Sequence, residues 1–499
     1  MKKLILLIMT AALVVLPVLS CAADNDGGNQ IQNDSHEAEN AQPPGADDTE
    51  DLPGENGEPE ELRFPDLPEV DFGGYNFRIL NAAVGTQPHI LFQLVAEEET
   101  GELLNDAIFR RNRRMEERFG FNLVETGFPT MVAIRDSARR SVQAGSDDFD
   151  LAMMQTVQAL PLAQDGLLEM IDRIPYIDLT APWWDQDMIR DLSLGHRLFF
   201  ATSDFSFSHY SATLSIIFNQ QIHSDLGLDC PYTLVREGRW TIDRFAEQAR
   251  AAQRDLTGDG TYGEHDQWGF VSNSLIYPIG ILNGIGARYV IKDADDMPVL
   301  NLNTEAFISR LNVAIDILME GWLWCHNRPG NIRSEEMFFN GRGLFWTELL
   351  NWAVVLRGID FDFGILPFPK LNEQQERHIT GTGHPHVKSI PVTTADLART
   401  GIIIEALSAE SRLTTLDVYL DTMLVNQLMN RDEESAEMLD IIFSNRVYEI
   451  GRKYWNDQVS LPIQHAFRDG NRDMVSVIER NEAAANAAIQ RTIEAFLYN

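Results

Sequence analysis

Short apolar runs alternate along this chain with longer stretches whose apolar positions recur every three or four residues. The segment 75–80 (YNFRIL) has the length and β-rich make-up of a strand, and Leu104, Ile108, Met115 and Phe119 then trace one face of a helix. Strand-like runs return at 122–125, 150–154, 198–201, 214–219, 267–271, 362–366 and 387–391. Between them lie helical stretches at 135–144, 240–252 and 303–320, the last with apolar residues at Phe307, Leu311, Ile315 and Leu318. A helix opens near 401–407, and an Ala-rich one over 483–497 carries Ile489, Ile493 and Phe496. Strands interleaved with helices predict an α/β fold. No repeat of fixed period is present.

The first residues break this pattern. Lys2 and Lys3 precede an apolar run over 4–19, the charge and length of a secretory signal rather than of a permanent span. From 22 to 61 there are 13 Asp and Glu, no Lys or Arg, and almost no large apolar residue. Such a stretch cannot bury enough surface to offset chain entropy, and is expected to be a disordered acidic linker.

The remaining 438 residues are long enough for two lobes, since single cores rarely exceed about 250–300 residues. The whole chain of 499 residues has a formal charge of −35; setting aside Lys2, Lys3 and the 13 acidic linker residues leaves −24 on the body. That excess excludes a nucleic-acid binder and disfavours anionic ligands. Three Cys exclude a disulfide-stapled scaffold. Cys230 and Cys325 are the only thiols after Cys21 and could form one disulfide in an oxidising compartment.

One loop has explicit metal chemistry. Residues 255–266 (DLTGDGTYGEHD) match the twelve-residue calcium loop, with Asp255, Thr257 and Asp259 at positions 1, 3 and 5, Gly260 at the turn, the Thr261 carbonyl at position 7 and Asp266 at position 12. Thr at position 3 and the short arm of Asp at position 12 depart from the pattern, and the following segment reads as a strand. The expectation is a structural Ca2+ site, set against a plain Asp/Gly turn. His384-Pro385-His386 lacks a third ligand and reads as hinge or cleft rim. No serine-hydrolase, zinc-protease or phosphate-loop motif occurs.

Local strings in a shared order carry a family resemblance. Val18-Leu19-Ser20-Cys21 resembles the bacterial lipobox, which implies cleavage before Cys21 and its lipidation. The segment 104–112 (LNDAIFRRN) is similar to the first helix of the carbohydrate-type extracellular solute-binding proteins of ABC importers. Residues 216–221 (IIFNQQ) resemble the crossover into their second lobe, Trp240-Thr241-Ile242-Asp243 a helix start, 338–346 (FFNGRGLFW) a strand, and 363–369 (FGILPFP) a late strand and turn. The chain departs from the family at 342–345, which reads Arg-Gly-Leu-Phe.

The resemblance implies a type II periplasmic-binding-protein-like fold: two α/β lobes joined by hinge-crossing strands around an interlobe cleft. The implied layout is signal peptide 1–20, lipidated Cys and linker 21–70, lobe 1 over 71–214, lobe 2 over 215–386, a return to lobe 1 over 387–437, and C-terminal helices 438–499 packing mainly on lobe 2. The implied function is capture of a carbohydrate, an oligosaccharide being expected, and its delivery to the transmembrane subunits of an ABC permease. The receptor would be a monomer, anchored by lipid on the extracytoplasmic face of the cell membrane, and not an enzyme.

Sugar recognition calls for aromatic faces and carboxylates. Trp183, Trp184 and Asp185 lie in a turn-like segment, and one of two adjacent Trp is expected to point away from the core. Asp204 precedes the proposed crossover, and Trp346 and Glu348 follow a predicted strand end, where α/β clefts receive ligands. A surface glycoside hydrolase using Asp185 and Asp187, or an adhesion module, are the alternatives.

Overall fold

A computed structural model describes residues 62–83, 93–328, 330–425 and 434–498. The signal, Cys21 and most of the acidic linker therefore lie outside the described residues. Thirteen strands are present among those described: β1 (Tyr75–Ala82), β2 (Phe121–Phe128), β3 (Leu151–Gln155), β4 (Leu214–Asn219), β5 (Trp268–Ser272), β6 (Val290–Lys292), β7 (Pro298–Leu300), β8 (Leu323–Cys325), β9 (Gly343–Leu349), β10 (Phe363–Leu366), β11 (Thr380–Gly381), β12 (His386–Ser389) and β13 (Arg446–Val447).

They assemble into two main sheets. The first has the order β12-β3-β1-β2, with β1 parallel to both neighbours and β12 antiparallel to β3. The second has the order β10-β4-β9-β5-β8, in which β4 runs antiparallel to β10 and β9 while β9, β5 and β8 are parallel. The chain therefore leaves the first sheet after β3, builds the second, and returns to the first at β12. Strands β6 and β7 form a small hairpin, and β11 and β13 a short parallel pair.

Helix Leu103–Phe119 shows why the sequence pattern is legible. Its buried face holds Leu104, Ile108, Met115 and Phe119, the Glu102 side chain accepts from the Asn105 amide, and Gly120 ends it at φ 64. A left-handed residue of that kind closes a helix most cheaply as glycine. The same face buries Arg111, whose guanidinium donates to the carbonyls of Leu94 (2.6 Å) and Phe205 (3.3 Å) and to Ser411 Oγ (3.1 Å). Arg111 thus fixes helix Leu397–Thr414 and the 203–211 segment against the first sheet.

In the second sheet β5 and β9 come unusually close to their neighbours. A Cβ on Gly269 would lie 2.0 Å from the Ala249 carbonyl oxygen, and one on Gly343 2.8 Å from Val271 Cγ2. The Gly of the Arg-Gly-Leu-Phe string is therefore a packing requirement of this sheet. The C-terminal helices Ile450–Val459, Leu461–Asp469 and Met474–Tyr498 touch both halves: helix Thr156–Gln164 beside the first sheet, and helix Tyr277–Gly284 and the β6–β7 hairpin beside the second.

Two local expectations change. Residues 198–201 form no strand: only the isolated bridge Ala201↔Lys388 is present, and the run is buried by packing rather than by a ladder. Cys230 and Cys325 are both free thiols: Cys230 precedes helix Pro231–Arg236, and Cys325 ends strand β8.

Candidate ligand-binding site

Two segments run side by side at the edge of the first half. The Asp185 amide donates to the Thr202 carbonyl (3.1 Å) and the Asp204 amide to the Trp183 carbonyl (2.9 Å), with a bridge between Trp184 and Ser203. This pairing brings together three residues expected to act together, Trp184, Asp185 and Asp204. They line a cavity of about 310 Å³. Tyr210 and Arg412 complete the wall on this side, and Asp440, Phe443 and Arg446 face them from helix Glu434–Ser444 and β13. That helix packs on β10 of the second sheet, so the cavity lies between the halves.

Neither Trp points outward. Trp183 is 5% and Trp184 2% exposed, and both indole N–H groups donate to the Glu405 carboxylate at 2.9 Å. The expectation that one would turn away fails because Glu405, on helix Leu397–Thr414, gives each ring its own buried acceptor. Burial pushes the Glu405 carboxyl up to about 7, against the two indole hydrogen bonds that lower it. Only Trp184 reaches the cavity wall.

Two fixed ion pairs organise the polar groups. Asp185 caps helix Gln186–Leu192 through the Met188 amide (2.9 Å), meets Arg446 Nη2 at 2.9 Å and accepts from the Tyr448 hydroxyl at 2.7 Å. Burial alone would raise its pKa, but Arg446 foremost, with His209, that amide and that hydroxyl, holds it below the ordinary value. Asp204 accepts from Tyr210 (3.2 Å) and Arg412 (3.4 Å) and lies 3.3 Å from His209 Nε2. His209 Nδ1 is 3.1 Å from the Ser206 carbonyl, so both ring nitrogens face acceptors. Arg446 lies over the Tyr210 ring at 5.1 Å, and Phe443 meets Tyr210 edge-on at 5.2 Å. Behind the wall, burial lowers the Lys388 ammonium to about 7, with Asp204 opposing, and its Nζ donates to the Ser203 carbonyl at 3.3 Å.

Trp346 and Glu348 are not in this wall. Trp346 is fully buried, stacked on Phe338 at 5.2 Å and edge-on to Phe339 and Trp352. Glu348 accepts from Asn273 Nδ2 (3.0 Å) and the Leu349 amide, and burial raises it to about 7. The expectation treated β9 as a strand ending at the cleft; it runs through the middle of the second sheet, covered on both faces.

The Asp255 loop folds onto its own amides. Asp255 accepts from Gly258 and Gly260, Asp259 from the amide and hydroxyl of Thr261, and Asp266 from Leu256, Thr257 and Gly263. Among the described residues no three His, Cys, Asp or Glu side chains converge as a metal site. His384 Nδ1 pairs with Thr156 Oγ1 at 3.2 Å, and burial holds its pKa well below the ordinary value.

His209, Tyr210, Glu405, Arg412, Asp440, Phe443 and Arg446 were not anticipated. The last five come from helices and a strand some 200 residues beyond Asp204, so no local spacing announces them. His209 and Tyr210 sit five and six residues after Asp204, and only that proximity in the chain pointed to them.

A scan of protein-family models and a search of curated proteins both returned no match. Solved structures do match. The chain is similar to the maltose/maltodextrin-binding domain MalE of Bdellovibrio bacteriovorus bound to maltotriose, at 13% identity and TM-score 0.52, over 83% of this chain and 100% of that one. It is similar to an ABC substrate-binding protein of Listeria monocytogenes in complex with cycloalternan, at 11% identity and TM-score 0.54, over 84% and 99%. It is also similar to UgpB of Mycobacterium tuberculosis in complex with glycerophosphocholine, at 15% identity and TM-score 0.56, over 84% and 99%. With its two sheets and returning strand, the protein has the α/β fold of the type II periplasmic-binding proteins.

Proposed function

We propose that the protein is a solute-binding receptor of an ABC importer that captures a carbohydrate in the cavity between its halves and hands it to a membrane permease. The observation that carries this reading is the wall itself: carboxylates, guanidinium groups and aromatic rings contributed by both halves around about 310 Å³. Guanidinium and carboxylate groups bond sugar hydroxyls, and the rings of Tyr210 and Phe443 in the lining offer apolar surface to the C–H face of a sugar ring. The volume sits at the small end for ligand sites, which suits a short saccharide better than a long one. Ligand touching both walls favours the closed arrangement only through contacts that the open one lacks. Known substrate-binding proteins of this fold, bound to maltotriose and to cycloalternan, add support by analogy.

Binding without turnover is part of the reading, since Asp185 is held ionised in a helix cap and ion pair rather than poised to donate a proton. A monomeric receptor tethered through lipidated Cys21 on the extracytoplasmic face of the membrane is proposed from the sequence. Calcium at the Asp255 loop is a separate proposal: the ion would have to draw three carboxylates away from amides. A melting temperature raised by calcium and lowered again by chelator is its test. The receptor reading is tested by thermal shift with a panel of mono- and oligosaccharides. A binder present at 100 times its Kd should stabilise the protein by about 2.7 kcal/mol; a panel without a single shift, or measurable glycan cleavage, overturns it.

A further inference from the structure

Helix Gln186–Leu192, in the first half, is gripped at both ends by groups of the second. At its start Asp185 meets Arg446 at 2.9 Å and accepts from the Tyr448 hydroxyl at 2.7 Å. Near its end Asp191 accepts from the Tyr448 amide at 2.8 Å. Arg446 belongs to β13, whose partner strand β11 packs on helix Tyr277–Gly284 of the second half. The Arg446–Glu449 segment is therefore one arm of the grip.

The β6–β7 hairpin is the other. Tyr289, at its base, lies 5.8 Å from the Phe307 ring of helix Glu305–Leu318, and that helix packs on helix Tyr277–Gly284. From β6, Lys292 Nζ crosses to the end of helix Gln186–Leu192. It donates to the carbonyls of Arg190 and Ser193, the second at 3.1 Å, and to Ser193 Oγ at 2.9 Å. A cation suits this end of a helix, where the last carbonyls lack partners of their own. The hairpin turn then docks on the turn that follows the helix. The Gly195 amide donates to the Asp296 carbonyl at 3.0 Å and the His196 amide to Asp296 Oδ2 at 2.9 Å, while Lys292 also pairs with Asp296. Asp296 and His196 are both left-handed, at φ 61 and φ 59, so two tight turns meet face to face.

Glu449 joins the arms. It accepts from the Tyr289 and Val290 amides at the base of the hairpin, both at 3.1 Å, and from the Arg452 amide at 2.7 Å. Lys292, Asp296, Asp191, Tyr448 and Glu449 all lie outside the cavity lining, so most of the grip needs nothing in the cavity.

We propose that the β6–β7 hairpin and the Arg446–Glu449 segment form a two-armed clasp on helix Gln186–Leu192, which holds the halves together before any ligand arrives and releases as a unit. This goes beyond the receptor reading and does not depend on what the cavity takes. Ligand entry between the halves then waits on release of the clasp.

The test is hydrogen–deuterium exchange of the full chain, without ligand, in wild type and two variants. Lys292→Met keeps the aliphatic stem and removes the donor. Asp296→Gly keeps a turn at φ 61 and removes the carboxylate. In both, amides of 193–197 should exchange faster. Amides of 446–449, in the arm that neither variant touches, should follow by about ten-fold, since losing bonds to a charged group loosens the whole unit. Strands β1 and β5, the cores of the two sheets, should keep wild-type protection. Acceleration confined to 193–197 overturns the proposal, because the hairpin contact would then be local. So does wild-type exchange at 446–449 in both variants. Equal acceleration in β1 and β5 also overturns it, since the contact would then belong to the common fold. Each of these failures leaves the saccharide reading standing, as neither substituted residue lines the cavity.

Discussion

Glu405 offers the sharpest test of how the wall is built. It is 1% exposed, and burial is opposed there by two indole N–H groups at 2.9 Å and by the Asp178 amide. Its carboxyl is carried from 4.5 to about 7, chiefly by burial. Below pH 4.5 the group is protonated in the folded and unfolded chains alike. Between 4.5 and about 7 the unfolded chain gives up the proton while the folded chain keeps it, so stability falls as pH rises. Above about 7 both are ionised and the whole cost remains. At 1.36 kcal/mol per pH unit the cost is about 3 kcal/mol. Glu405→Gln removes the titration and keeps the shape of the protonated acid. Urea unfolding of wild type and variant, followed by tryptophan fluorescence and by circular dichroism, gives the difference in stability at each pH. That difference should move in favour of the variant by about 3 kcal/mol between pH 4.5 and about 8. Glu348 titrates over the same range but is present in both proteins and cancels. A difference that stays constant across the range would mean that Glu405 ionises like a free carboxyl, and would refute the buried two-indole arrangement.

Other expectations follow from the packing. Trp346→Ala should cost about 3–5 kcal/mol, since the ring is fully buried against Phe338, Phe339 and Trp352. Trp346→Phe should cost less, because the indole Nε1 has no acceptor to lose, and saccharide titration of this variant should match wild type. Gly269→Ala drives a methyl into the Ala249 carbonyl oxygen and should lower the melting temperature steeply; an unchanged melt would contradict the close approach of strand and helix. Phe443→Ala, which strips a half-buried ring from the cavity wall, should weaken ligand binding about ten-fold in calorimetry while leaving the unliganded melt nearly unchanged.

Much of the fold was written in local periodicity. Leu104, Ile108, Met115 and Phe119 fall on one buried helix face, and Phe307, Leu311, Ile315 and Leu318 on another, because a 3.6-residue repeat has one way to bury its stripe. The run 198–201 misled because burial by packing and burial by a ladder look alike in sequence. The site was half legible. Trp184 and Asp185 stood out as an indole beside a carboxylate and Asp204 by its place before the crossover strand, and backbone bonds between their segments bring them together. Arg446 and Arg412 were out of reach, since an ion pair across more than 200 residues leaves no spacing to read. Trp346 and Glu348 were misplaced for a related reason: an acidic or aromatic residue near a strand end does not announce that more sheet will cover it. Glu405 gave no sign at all, being one polar residue in a helix otherwise read for its apolar face.

The last helix, Met474–Tyr498, lies against elements of both halves and is pinned by Gln164 Nε2 and Trp455 Nε1, which both donate to Thr492 Oγ1 at 2.7 and 2.9 Å. A shared splint of this kind restricts how the jaws can part. They must swivel with this rod as their axle, or else peel it from one flank and expose its greasy side to water. Any relative movement of the halves is thereby constrained at the C-terminal helix, remote from the residues that line the cavity.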